Sequence, residues 1–72
     1  MLVSLITKGH FSATLHAELN LEKETAEFFV VARTLGENGR RQCKETYHTD
    51  FAEAAKVFKE ARKQIEEGSA ND

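Results

Sequence analysis

The chain has 72 residues, is 40% hydrophobic and carries a formal charge of −2; this is enough for one domain and too little for two. Cys43 is the only cysteine, which excludes an internal disulfide and a cysteine-based zinc site, and fits a reducing, cytoplasmic setting. A chain this short buries only about 60% of its unfolded surface, so a partner subunit or an unusually well-packed core is expected to support it.

The first apolar run, Leu2-Val3-Ser4-Leu5-Ile6, is short and β-branched and reads as a strand. It has no basic segment before it and is too short for a signal peptide, so none is expected. Lys8-Gly9-His10 reads as a turn, with Gly9 free to adopt a positive φ. From Phe11 to Leu19 the residues alternate without exception. Phe11, Ala13, Leu15, Ala17 and Leu19 point one way, and Ser12, Thr14, His16 and Glu18 the other. A period of two over such a run is the pattern of a half-buried strand. The segment Ala13–Glu27 is also rich in helix formers, and a helix would gather Leu15, Leu19, Ala26 and Phe29 on one side. The unbroken alternation favours the strand.

Asn20 to Thr25 is polar and turns the chain. Phe28-Phe29-Val30-Val31 is a run of strong β-formers and reads as a third strand. Asn38-Gly39 follows and predicts a hairpin, closed by a more polar strand over Arg41–His48. Asp50 then reads as a helix N-cap, with Glu53 three residues on as in a capping box. Phe51, Ala54, Phe58, Ala61 and Ile65 recur at 3-4-3-4 spacing and form one apolar stripe, which Val57 widens. Gly68 is placed to stop the helix. The expected fold is therefore α+β: an antiparallel four-stranded meander followed by one C-terminal amphipathic helix packed on one face (ββββα). Residues 1–68 form the single domain and residues 69–72 a frayed tail.

One helix covers one face of a sheet. The third strand is nevertheless apolar on both sides, with Phe28 and Val30 against Phe29 and Val31. The first strand repeats this, with Val3 and Leu5 against Leu2 and Ile6. A strand apolar on both sides has both sides covered, and a large bare apolar patch is rare on a monomer. The expected interface is Leu2, Ile6, Phe29, Val31 and Leu35, and the expected occupant a second copy of the chain or another protein.

No catalytic pattern emerges. His10, His16 and His48 match no ligand spacing, and no cofactor or metal is expected. Cys43 has basic neighbours in Arg41 and Lys44, but no matching catalytic order, and reads as a small residue packed on the fourth strand. Arg33, Arg40, Arg41 and Lys44 form the only basic cluster, a possible nucleic-acid contact from a β-hairpin. The net negative charge and the lack of stacking aromatics oppose that role. No stretch approaches the ~20 apolar residues of a membrane helix, so no membrane partner is expected. The reading is a small non-enzymatic interaction module.

From Val30 to Gly68 the order of a strand, a Gly-containing turn, a polar strand and a capped helix resembles the C-terminal half of a WGR domain. The Trp-Gly-Arg signature of that family is absent, as is any tryptophan. The sheet-plus-helix layout is also similar to that of small phage-encoded inhibitors. No residue or function is carried across from either.

Overall fold

The structure is a computed structural model and describes residues 1–35 and 39–70, without the side chains of 68–70. Four strands, β1 (Leu2–Lys8), β2 (Phe11–Asn20), β3 (Thr25–Leu35) and β4 (Arg41–His48), precede one helix, α1 (Phe51–Ala70). The strands pair antiparallel in the order β1-β2-β3-β4. This is the expected meander. The Ala13–Glu27 segment is strand and turn rather than helix.

Each turn has a local cause. Gly9 opens the two-residue connection between Lys8 and Phe11 with φ of 62°, a backbone that L side chains resist and glycine accepts. At the next turn the Asn20 side-chain oxygen accepts the Lys23 amide at 3.1 Å, a local bond that asparagine makes readily. Glu24 there takes a left-handed φ of 52°. The expected Asn38-Gly39 hairpin falls mostly outside the described residues, which resume at Gly39 with φ of 77°.

The helix begins as its residues dictate. The Asp50 carboxylate accepts the Ala52 amide at 3.2 Å, and the Asp50 carbonyl accepts the Ala54 amide at 3.2 Å. One donor orphaned at the helix start is thus satisfied by the cap. Glu53 adds a negative charge in the first turn, where the helix dipole favours it. The helix continues to Ala70, so Gly68 does not stop it. A single glycine costs a helix only about 1 kcal/mol and no proline follows to break it.

The core lies between α1 and the middle of the sheet. Ala13, Leu15 and Val30 from the strands meet Ala54, Phe58, Ala61 and Ile65 from the helix. Ile6, Phe11, Phe28, Ala32 and Val57 pack around them. Val30 and Ile65 are the largest side chains fully buried, at 1% and 2% exposure. Burying each contributes about 1.5–3 kcal/mol. Phe51 caps one end of the stripe edge-on to Phe28, with ring centroids 5.5 Å apart.

Candidate interaction surface

The cross-strand register fixes what each face of the sheet carries. Under the helix, Ala13 pairs with Ala32, Leu15 with Val30 and Ala17 with Phe28. On the opposite face the register builds successive rows. Leu5, Thr14, Val31 and Glu45 form one, and Leu2, His16, Phe29 and Tyr47 the next. Thr7, Ser12, Arg33 and Cys43 form a third, on one side of these two. Leu35 and Arg41 pair beyond that row. On the other side, Glu18 stands directly across from Glu27.

The two middle rows of the open face thus combine Leu2, Leu5, Phe29, Val31 and Tyr47 with Thr14, His16 and Glu45, and like charges gather at each end. Leu2, Leu5 and Tyr47 are each 52–53% exposed, and Leu35 is 44% exposed. Phe29 and Val31 are half-buried between them. The Phe29 and Tyr47 rings lie 5.3 Å apart, a favourable aromatic contact. An open hollow of 280 Å³ sits over Met1, His16, Phe29, Val31 and Glu45. The Tyr47 hydroxyl donates to Glu27 at 3.1 Å. That bond to the carboxylate, before burial and the nearby negative charge, raises the tyrosine pKa above its usual 10.0.

Of the five expected interface residues, Leu2, Phe29, Val31 and Leu35 share this face. Ile6 does not. It pairs with Ala13 and packs against the core under the helix. The cause is a bulge. The register slips between Leu2 and Ser4, so that Leu2 pairs with His16 and Ser4 with Leu15. One extra residue in a strand reverses which residues face which side. Leu2 and Ile6, four apart in sequence, therefore end on opposite faces. Leu5 takes the place expected of Ile6, opposite Thr14. Tyr47 joins the patch as well. The signal for it was its position two residues beyond Glu45 on a strand, legible only once β4 is paired with β3.

The basic cluster does not hold together either. Arg33 and Arg41 lie on the open face. Lys44 pairs with Ala32 and lines the groove between β4 and α1, with Gln42, Thr46, Glu60 and Gln64. Arg40 precedes β4 and is exposed.

The histidines are scattered. His10 is in the first turn, His16 is on the open face, and His48 bonds Thr46 at 2.9 Å on the helix side. Cys43 is free and exposed on the open face rather than packed. Cys43 and His48 belong to opposite faces of β4. Among the described residues no three His, Cys, Asp or Glu side chains converge as metal ligands. No helix among them is long and apolar enough to cross a membrane. Comparison with known proteins adds no relative: no family model, curated protein or solved structure matches the chain.

Proposed function

We propose that this protein is a non-enzymatic interaction module that self-associates through the open face of its sheet. One observation carries the reading. The helix covers one face, while the middle of the other holds Phe29, Val31 and Tyr47 on β3 and β4 and Leu2 and Leu5 on β1, on either side of Thr14 and His16, with no element among the described residues over it. Leaving such a patch in water is unfavourable at roughly 25 cal/mol per Å². A second copy covers it with the same surface, the usual arrangement of a two-fold dimer.

Light scattering on a sizing column tests this. The expected mass is twice the 8.1 kDa chain, falling toward one chain on dilution. The double variant Phe29→Ser/Val31→Ser is expected to remain folded by circular dichroism and to run as a monomer. A wild-type mass of one chain at all concentrations would overturn the reading.

A nucleic-acid module using Arg33, Arg40, Arg41 and Lys44 is weaker. Lys44 faces away from Arg33 and Arg41, and Glu27 and Glu45 share their face. Duplex DNA binding that weakens with salt, with a slope of about −0.9 per neutralised phosphate, would favour it instead.

A further inference from the structure

The open face is charged asymmetrically along the strands. Glu18 and Glu27 stand side by side at one end. Arg33 and Arg41 stand together at the other, on adjacent strands. Like charges placed directly opposite in a sheet repel; Glu18 and Glu27 form such a pair, and Arg33 and Arg41 are diagonal neighbours. On β3 the residue midway between Glu27 and Arg33 is Val30, between the rows of Phe29 and Val31. The two charged ends lie about 20 Å apart at about 3.3 Å per residue.

We infer that the partner on this face is a second copy turned end for end, with Arg33 of each chain over the partner's Glu27. This rests on the self-association proposed above and specifies its geometry. Two sheets can stack face to face about a two-fold axis in the plane between them. If the axis runs along the strands, the basic ends meet each other and so do the acidic ends. If it runs across the strands at the level of Val30, each strand lies over its own copy reversed, and Arg33 meets the partner's Glu27 on β3. The second arrangement also sets Phe29 against the partner's Val31, and Val31 against the partner's Phe29. Phe29 and Val31 then meet at the centre and Arg33 and Glu27 toward the rim, the usual anatomy of a protein interface. Sheets packed this way cross at about 30°, a rotation that long arginine side chains span easily. The Tyr47 hydroxyl, bonded to Glu27, helps to hold that carboxylate at the rim.

The test is a charge exchange between two chains. Arg33→Glu and Glu27→Lys are prepared as separate variants, with circular dichroism to verify folding, and dimer dissociation is measured for each alone and for an equimolar mixture. In the end-for-end dimer each variant sets two like pairs against each other. Each alone is expected to dissociate about tenfold more readily than wild type. In the mixture both contacts become attractive again, and heterodimers are expected to form within about threefold of wild-type affinity. Two results would overturn the orientation while leaving the dimer intact. One is a dimer that Arg33→Glu tightens, as expected if basic ends meet. The other is a dimer whose affinity neither variant changes. A wild-type protein that never dimerises would overturn the self-association itself.

Discussion

The face of the sheet under α1 carries Ala13, Leu15, Ala17, Val30 and Ala32, and the helix answers with Ala54, Phe58, Ala61 and Ile65. The open face carries larger and more mixed residues: Leu2, Leu5, His16, Phe29, Val31, Glu45 and Tyr47. The contrast has a physical reading. Alanines on both sides of the covered layer let backbone and helix approach closely, while Leu15, Val30, Phe58 and Ile65 fill the spaces between them, which is how dense interiors are built. The open face has no such graded fit to any element among the described residues. Its large side chains stand half in water, with Glu45 beside Val31 and like charges at each end. The self-association proposed above rests on that difference.

The first way to break this comparison is to damage the covered layer. Ile65→Ala leaves a hole under the sheet and is expected to lower stability by about 2–4 kcal/mol in urea unfolding. For a domain of this size that loss is a large fraction of the total. If Phe29→Ser/Val31→Ser destabilised the chain as much, the two faces would be equivalent and the distinction between them would fail.

A smaller effect is expected at the helix start. Asp50→Ala removes the acceptor for the Ala52 amide and is expected to cost about 1 kcal/mol, without changing self-association, because the cap lies off the open face. Gly9→Ala meets no atom within 4 Å of its new Cβ. The left-handed φ of 62° is its only obstacle, and the expected loss is about 1 kcal/mol.

The smallest effect sharpens the chemistry of the rim. Tyr47 is the only tyrosine, so its ionisation can be followed by ultraviolet absorbance without interference. Its bond to Glu27 favours the neutral phenol. The folded pKa is therefore raised, and the contribution to stability is complete below the ordinary tyrosine value and is lost as pH rises through the folded value. Glu27→Gln is expected to move the absorbance midpoint back toward 10.0. An unchanged midpoint would mean that the carboxylate is not what holds the proton.

Much of the fold was legible in the residues. The alternation of Phe11–Leu19 matches β2, the Phe28–Val31 run lies in β3, and the Ala54–Phe58–Ala61–Ile65 stripe is the buried face of α1. Asp50 caps the helix as its residue type indicated. The make-up of the open face was only partly legible. Phe29 and Val31 sit on a strand whose alternation alone separates them from Phe28 and Val30. Ile6 and Lys44 were misplaced because their side depends on pairing partners far away in sequence.

By itself, then, the sequence determined where the strands, turns and helix lie, since periodicity, caps and turn residues act over a few positions at a time. Only the tertiary structure decided which face each strand residue occupies. The bulge near Leu2 separated Leu2 from Ile6 and brought Leu5 to the open side. The pairing of β4 with β3 placed Lys44 beside the helix and left Arg33, Arg41, Cys43 and Tyr47 on the open face. A strand's two sides are equivalent until it is paired, and a one-residue slip exchanges them. That is why the helix face could be read along the chain, while the charged ends of the open face appeared only when four strands were laid side by side.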